Sequence, residues 1–209
     1  MQIINMPSGP LAVNTYLAFD EKSKKGFIVD PGGYDIRLLS KAEEENIDIE
    51  YIILTHGHAD HIGGVNEYSK KIQNIKVIAD KDEQEMLENP DFNMSTSFGM
   101  PCSVKADSYI KDGDELQIGN LHLRFLHTPG HSPGGMCIYI PDENVLFSGD
   151  TLFCQSIGRT DFPGCSFDAL ADSIRSKLFV LPDETKVYPG HMGTTDIGYE
   201  KGHNPFVHI

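Results

Sequence analysis

Short apolar runs alternate with amphipathic stretches along most of the chain, and this alternation predicts a layered α/β fold. Alternating or β-branched runs predict strands beginning at Ile3 and covering 15–19, 27–30, 51–54, 75–79, 121–126, 136–140, 144–147 and 186–188. Apolar positions spaced by three and four residues predict helices over 34–46, after Gly63-Gly64, after Asp80 and over 167–178.

Two stretches are less regular. Asp80 precedes its helix as an N-cap with Glu83 three residues further on, a spacing typical of a capping box. Segment 90–107 follows neither period and holds Pro90, Met94, Phe98, Met100 and Pro101. An irregular segment of this length is either a binding loop or an ordinary surface excursion, and the pattern favours neither.

Length and composition set the class of protein. The 209 residues are 39% hydrophobic and predict one domain over 1–209. A net charge of −14 argues against nucleic acid and against an anionic membrane surface as partners. We find no signal peptide and no run of membrane-spanning length, and the four cysteines form no C-x-x-C pair. The expected location is therefore the cytoplasm.

The strongest chemical signal is T-H-G-H-A-D-H at 55–61, directly after an apolar β-branched run. His56 and His58 are two positions apart, and in an extended segment such side chains point the same way. Both can therefore bind one metal ion. Asp60 and His61 follow the turn and can face a second position beside it. A purely structural histidine cluster is the alternative.

Three later strand ends each add one residue that can bind a metal: His131 after 121–126, Asp150 after 144–147 and His191 after 186–188. The resulting seven nitrogen and oxygen ligands are too many for one tetrahedral ion, but they suit two ions that share a carboxylate. We therefore predict two divalent metal ions per chain. Because the set contains no cysteine, zinc is the first expectation, with iron or manganese as alternatives.

The predicted ligands divide into two groups. His56, His58 and His131 form the first triad, Asp60, His61 and His191 form the second triad, and Asp150 bridges them. Asp60 is also the predicted catalytic residue, because its carboxylate can orient the attacking hydroxide. Backbone N–H groups near Gly63-Gly64 are predicted to help stabilise the oxyanion.

Four motifs, in this order and spacing, resemble the metallo-β-lactamase superfamily: T-H-x-H-x-D-H, P-G-H-S-x-G, S-G-D-T-L-F and Y-P-G-H-x-x-T-T. The G-R-T-D-F-P-G stretch at 158–164 and the ending from Tyr199 are similar to glyoxalase II-like hydrolases of the short bacterial type. The resemblance implies an α/β fold, a four-layer αβ/βα sandwich with the metals at the rim between two sheets. It also implies the same seven ligands and hydrolysis of a hydroxyacylglutathione or a related thioester.

The expected function is a dinuclear metal-dependent hydrolase that cleaves a thioester of the S-lactoylglutathione type by attack of a metal-bound hydroxide. Its partner is then a small acyl-thiol substrate. Full-length glyoxalase II enzymes carry a further C-terminal region with basic residues for glutathione, whereas Lys201 is the only Lys or Arg after His191 here. The identity of the thiol carrier therefore stays open.

The alternative function is a mononuclear iron persulfide dioxygenase, because such relatives share the G-R-T-D-F stretch. His56, His131 and Asp150 would then hold one Fe(II). Arg159 is the candidate substrate contact outside the ligands. Its guanidinium can pair with a substrate carboxylate or with Asp161, and the pair with Asp161 is the favoured interpretation. Hydrolysis of a β-lactam is disfavoured, because the glyoxalase-like loops fit a thioester better.

Overall fold

The computed structural model describes residues 1–208. Its first sheet contains β1 (Gln2–Ser8), β2 (Val13–Phe19), β3 (Lys25–Val29), β4 (Asp48–Ile53), β5 (Lys76–Asp80) and β6 (Ser108–Ile110), in that spatial order. The first three strands are antiparallel, and the strands from β3 to β6 run parallel. Helical crossovers connect the parallel strands, as this topology requires.

The second sheet is mainly antiparallel. Its strands are β7 (Glu115–Ile118), β8 (Leu121–His127), β9 (Met136–Ile140) and β10 (Val145–Gly149), followed along the chain by a small hairpin of β11 (Leu152–Phe153) and β12 (Ser156–Ile157), and then by β13 (Lys186–Pro189) and β14 (Thr195–Asp196). The order across the sheet is β14-β13-β10-β9-β8-β7, and β10 runs parallel to β13.

The helices lie on the outer faces of the two sheets. They are α1 (Ile36–Glu44), α2 (Ala59–Ile62), α3 (Val65–Lys71), α4 (Gln84–Glu88), α5 (Phe167–Ser173) and α6 (Ile197–His203), with a π-helical turn, Ile174–Leu178, continuing α5. Leu38, Val65 and Tyr68 cover the first sheet, and Leu170 and Ile197 cover the second. Among the described residues, no helix combines the length and hydrophobicity needed to cross a lipid bilayer.

The main core lies between the two sheets. Alternation along β2 directs Tyr16 and Ala18 into this space and Leu17 towards the helices. Phe27 of the first sheet and Phe147 of the second meet edge to face, with ring centroids 6.0 Å apart. Burying each such side chain contributes about 2–3 kcal/mol. The helix, sheet, sheet and helix layers confirm the predicted four-layer sandwich.

Several elements were not predicted from the sequence, among them β6, β14, the β11–β12 hairpin and helix α6. The strands of the β11–β12 hairpin have two residues each, too few for a periodic signal. Helix α6 contains Gly198 and Gly202, which disfavour a helix. It forms because the Asp196 side chain accepts a hydrogen bond from the Tyr199 N–H as an N-cap, and because Ile197 is buried.

Candidate metal centre

The predicted ligands meet at one rim of the sandwich. The 55–61 motif follows β4, and His131, Asp150 and His191 follow β8, β10 and β13. These strands end at the same rim, so both sheets contribute side chains. All seven predicted ligands converge there.

The first triad is compact and buried. His58 Nδ1 lies 2.9 Å from His131 Nε2, and one ligand atom from each of His56, His58 and His131 lies within 4.8 Å of the others. The three rings meet edge to face, with centroids 4.7–4.9 Å apart. The structure therefore brings together the three nitrogens that the sequence assigned to one ion.

The second triad lies beside the first. One ligand atom from each of Asp60, His61 and His191 lies within 4.8 Å of the others. His191 Nε2 is 3.2 Å from Asp60 Oδ2, and His61 Nε2 is 3.8 Å from the same oxygen. His61 is completely buried, while His191 is partly exposed to the cleft.

Asp150 stands between the triads. Its Oδ2 is 3.6 Å from His131 Nε2 in the first triad and 3.7 Å from His191 Nε2 in the second. Its Oδ1 is 3.3 Å from His61 Nε2. Both carboxylate oxygens therefore face ligand nitrogens, and this is the position predicted for a bridging carboxylate.

Three buried atoms of this centre lack a hydrogen-bond partner, namely His56 Nε2, His61 Nε2 and Asp150 Oδ1. A buried polar atom without a partner is costly, and a group of them at one rim of the fold indicates a ligand. The donors are imidazole nitrogens and carboxylate oxygens, which suit zinc, iron or manganese. The residues present therefore fit a pair of divalent cations.

Hydrogen bonds on the outer side fix which nitrogen of each ring faces the centre. His131 Nδ1 donates to the Arg159 carbonyl at 2.8 Å, which leaves the Nε2 lone pair facing inward. The Thr55 hydroxyl donates to Asp30 at 2.5 Å, so its oxygen accepts from His56 Nδ1 at 3.1 Å. Asp30 also accepts from His61 Nδ1 at 2.9 Å.

The two triads differ in their electrostatics. Burial, assisted by the neighbouring histidines, lowers the pKa of His56 well below its ordinary value and lowers that of His58 to about 3. The first triad is therefore neutral at pH 7 and offers lone pairs. Burial also opposes a charge on His61, but Asp150, Asp60 and Asp30 outweigh it and raise its pKa. The carboxylates thus favour a positive charge at the second triad.

Asp60 remains ionised in this setting. Burial alone would raise the pKa of its carboxyl, but His61 and the hydrogen bond from His191 hold it well below its usual range. Its side chain lines the cleft described below. An ionised carboxylate at the edge of the cleft can accept a hydrogen bond from an attacking water, as predicted for the catalytic residue.

Glu83 is a positioning residue whose role the sequence did not reveal. It does not close a capping box on Asp80. Instead it is fully buried, and its two carboxylate oxygens accept from Gly57 N–H at 2.7 Å and Gly134 N–H at 2.6 Å. Gly57 separates His56 from His58, and Gly134 follows the His131 turn. One side chain therefore holds together the two loops that form the first triad.

Asn14 holds the loop of His191 in place in a similar way. Its Nδ2 donates to the Pro189 carbonyl at 3.0 Å and to the Met192 carbonyl at 2.9 Å, and its backbone N–H donates to Gly190. A Cβ on Gly190 would lie 2.4 Å from Asp150 Oδ1, so only glycine allows this close approach.

The oxyanion donors expected near Gly63-Gly64 are not supported by the structure. The Gly64 N–H donates to the Pro31 carbonyl at 2.7 Å and is therefore already used. A Cβ on Gly63 would lie 2.5 Å from the Gly32 carbonyl oxygen, which shows that this turn packs tightly against the loop after β3. These glycines serve close packing.

A cleft of about 540 Å³ opens onto both triads. His58, Asp60, His131, Asp150 and His191 form its floor. The irregular segment 90–107 contributes Asn93, Met94 and Phe98 to the walls, and the Asn93 carbonyl accepts from Ala59 N–H inside the histidine motif at 2.8 Å. Of the two readings left open for this segment, the geometry favours a binding loop.

Arg159 lies at the cleft but is already paired. Its Nε and Nη2 donate to the two carboxylate oxygens of Asp161 at 2.9 and 2.8 Å. Its guanidinium also lies 4.3 Å from the centroid of the Phe162 ring. The structure therefore shows the ion pair that the sequence favoured.

Comparisons with known proteins agree on one family. The family model described as the metallo-β-lactamase superfamily matches residues 8–191. The probable metallo-hydrolase YqgX of Bacillus subtilis (strain 168) is 38% identical over 204 residues, covering 97% of this chain and 95% of that protein. The hydroxyacylglutathione hydrolase GloC of Haemophilus influenzae is 33% identical over 213 residues, covering 99% and 98%.

Solved structures give the same picture. The BLEG-1 B3 metallo-β-lactamase superposes with a TM-score of 0.92 at 40% identity, covering 99% of both chains. TTHA1623 in a di-iron-bound form gives 0.86 at 32% identity, covering 98% of this chain and 100% of that one. ETHE1 from Myxococcus xanthus gives 0.81 at 29% identity, covering 98% and 84%.

Proposed function

Because the chain belongs to the metallo-β-lactamase superfamily, we propose that it is a dinuclear metal-dependent hydrolase whose substrate is a small thioester, such as a hydroxyacylglutathione. The six residues of the two triads, together with Asp150, would hold the two ions. When bound, two divalent ions supply a nucleophile by lowering the pKa of water towards about 7 and polarise the carbonyl as Lewis acids. Likeness to GloC supports the choice of substrate.

The observation that carries the proposal is the set of titratable groups at the cleft. Among the described residues that line it, these are five of the predicted ligands and Arg159. None of these described lining residues is a separate general acid that could protonate a leaving group. A thiolate leaves readily without one, since the ordinary pKa of a thiol is about 8.5, whereas an amine does not.

The side chains have defined tasks in this reaction. Water adds to the carbonyl carbon, the C–S bond breaks, and the products are a carboxylic acid and a thiol. Asp60 accepts a hydrogen bond from the attacking water and orients it. The Arg159 carbonyl and the Thr55 hydroxyl keep the inward nitrogens of His131 and His56 unprotonated.

A mononuclear iron persulfide dioxygenase is the second candidate. The likeness to ETHE1 supports it, and the di-iron form of TTHA1623 makes iron a plausible ion for either function. The convergence of Asp60, His61 and His191 beside the first triad favours the dinuclear hydrolase, since a single iron held by His56, His131 and Asp150 leaves these three side chains without a task.

The test measures metal content and activity on one purified sample. We expect about two metal ions per chain and cleavage of S-D-lactoylglutathione or a neutral acyl-thioester. About one iron per chain with oxygen uptake on glutathione persulfide and no thioester cleavage would overturn the proposal. A chromogenic cephalosporin belongs in the same assay because of the likeness to BLEG-1, and we expect it to be cleaved far more slowly than the thioesters.

A further inference from the structure

Apart from the predicted ligands, the walls of the cleft are mainly apolar. They consist largely of Leu11, Met94, Phe98, Phe153, Phe162 and Met192. Three of these side chains are well exposed at the mouth of the cleft, Leu11 at 50%, Phe98 at 40% and Met192 at 59%. Large apolar side chains that are exposed together around a cavity indicate a surface that binds an apolar group.

Positive charge outside the metal centre is almost absent from this cleft. Arg159 is the one Lys or Arg among the described residues that line it, and Asp161 occupies its Nε and Nη2. Glutathione has two carboxylates and one ammonium group, and a site that recognises it needs charged partners for them. The walls supply one guanidinium, already neutralised.

Two wall residues have a backbone conformation that argues for the use of their side chains. Met94 has φ = +70° and Met192 has φ = +68°, in the left-handed region that glycine adopts freely and bulky residues rarely do. Strain of this kind concentrates at functional sites. Methionine is also the flexible apolar residue that adapts to varied ligands. Both strained positions in this cleft thus carry such a side chain.

A second, smaller cavity of about 260 Å³ adjoins the cleft and shares Asp60 and Phe98 with it. Its other side chains include Met100 and Cys102, and four glycines from three loops complete its walls. Space of apolar character therefore exists on two sides of Asp60. A thioester has two arms, one on the acyl carbon and one on the sulfur, and this arrangement offers room for both.

We propose that the preferred substrate is a thioester whose acyl arm is apolar and packs against Met94, Met192 and Phe98, and whose thiol arm lacks the charges of glutathione. This inference rests on the proposed thioester hydrolysis and narrows its substrate class. The reaction is the same: water adds, the C–S bond breaks, and a fatty acid and a neutral thiol are released.

The first experiment compares thioesters on the metal-loaded enzyme. N-acetylcysteamine thioesters of acetyl, butyryl and hexanoyl groups differ only in chain length, and S-D-lactoylglutathione provides the charged carrier. We expect kcat/KM to rise about two- to fourfold per added methylene, as burial of each CH₂ predicts. The hexanoyl thioester should exceed S-D-lactoylglutathione at least about tenfold.

The variants Met94→Gly and Met192→Gly test the wall directly. Glycine relieves the backbone strain, so we expect the thermal midpoint to stay the same or rise. The ratio of kcat/KM for the hexanoyl thioester to that for the acetyl thioester should fall at least about threefold. Phe98→Gln should also weaken the dependence of kcat/KM on acyl chain length. Phe167→Gln is the matched control, because Phe167 is exposed at 44% and lies outside the cleft.

Binding without turnover separates this inference from the proposed function. Titration calorimetry with S-hexyl-N-acetylcysteamine, S-ethyl-N-acetylcysteamine and S-hexylglutathione should show tightest binding for the first, with a negative heat-capacity change. Such binding without cleavage of any thioester would overturn the proposed hydrolysis and the substrate class together, and leave only an apolar binding cleft. Cleavage independent of chain length, or a preference for S-D-lactoylglutathione, would overturn the inference and retain the hydrolase.

Discussion

Two aspartates at opposite ends of the sandwich show how differently one residue type is used. Asp20 follows β2 at the end away from the predicted metal centre, and Asp150 follows β10 at the centre itself. Asp20 accepts five hydrogen bonds, which come from Lys22, Ser23 and Asn120. Asp150 has one oxygen with no hydrogen-bond partner and faces three of the predicted ligand histidines.

The contrast separates stability from function. The hydrogen bonds to Asp20 come from its own hairpin and from the β7–β8 turn of the other sheet, so this carboxylate joins the sheets. In Asp150, by contrast, Oδ1 is buried without a hydrogen-bond partner. Proteins accept such local costs where a ligand binds. In this pair of aspartates, the satisfied carboxylate of Asp20 supports the fold, and the unsatisfied oxygen of Asp150 lies at the predicted metal centre.

The largest effect is expected for Asp150→Asn. The amide keeps the size of the side chain but removes the charge that both triads face. We expect less than two metal ions per chain and a fall in kcat/KM of more than about a hundredfold, since even loss of an outer ligand partner costs 10–100-fold. Metal analysis and thioester kinetics measure both. Retention of two ions and full activity would exclude Asp150 as the bridge.

Glu83→Gln should have the next largest effect. The Gln amide can accept from only one of the Gly57 and Gly134 N–H groups, so one ligand loop loses its support. We expect metal affinity to fall about 10–100-fold, with activity restored by excess metal. Competition with a chromogenic chelator gives the affinity. Glu85→Gln is the control, because Glu85 lies exposed in α4, two residues after Glu83; equal affinities for the two variants would contradict the role of Glu83.

Asp20→Asn should change stability and leave activity intact. Hydrogen bonds from Ser23 and Asn120 hold the pKa of Asp20 well below its usual range. The stabilisation is therefore present above the unfolded pKa of about 3.9 and is lost as pH falls through the lower folded value. We expect a loss of about 1–3 kcal/mol at pH 7, a few degrees in Tm, which shrinks below about pH 4.

Thermal unfolding of the metal-free proteins at pH 7 and pH 3 measures this difference. Asp142→Asn, at an exposed position in the β9–β10 turn, is the control and should change Tm little at either pH. A gap between Asp20→Asn and the wild-type protein that persists unchanged at pH 3 would show that the charge of Asp20 is not what stabilises the fold.

Arg159→Ala should have the smallest effect. Its ion pair with Asp161 is exposed, with 66% of each side chain accessible, and water and salt screen such a pair so that it adds little to stability. We expect kcat/KM for neutral thioesters to stay within about threefold and Tm within a few degrees. A tenfold loss confined to thioesters with a carboxylate would instead identify Arg159 as a substrate contact.

The sequence was sufficient to predict that the seven candidate ligands converge, because their signals are local. Each predicted ligand follows an apolar strand, and strands that end at one rim bring their next residues together. The same reasoning failed for Glu83. Its spacing from Asp80 fits a local cap, but its partners Gly57 and Gly134 lie 26 and 51 positions away. Long-range hydrogen bonds of this kind leave no periodic pattern.

Segment 90–107 was ambiguous for a related reason. Its conformation is set by turns and by hydrogen bonds such as that between Asn93 and the Cys102 carbonyl, which have no repeating period. That Met94 has a positive φ can be read only from coordinates, since the residue type predicts the opposite. The apolar character of the cleft therefore became visible only in the folded chain.

The hydrogen bonds from Asn14 to the loop of His191 have a consequence for synthesis on the ribosome. The bond from Asn14 to Pro189 joins residues 175 positions apart. A nascent chain contains all of the first triad once residue 131 has been added. The second triad is complete only when residue 191 has been added, and Asn14 can then bind the loop of His191. Because chains emerge from the N-terminal side, the first metal position can be complete in sequence before the second. The order of synthesis thus separates in time two predicted metal positions that lie side by side in the folded protein.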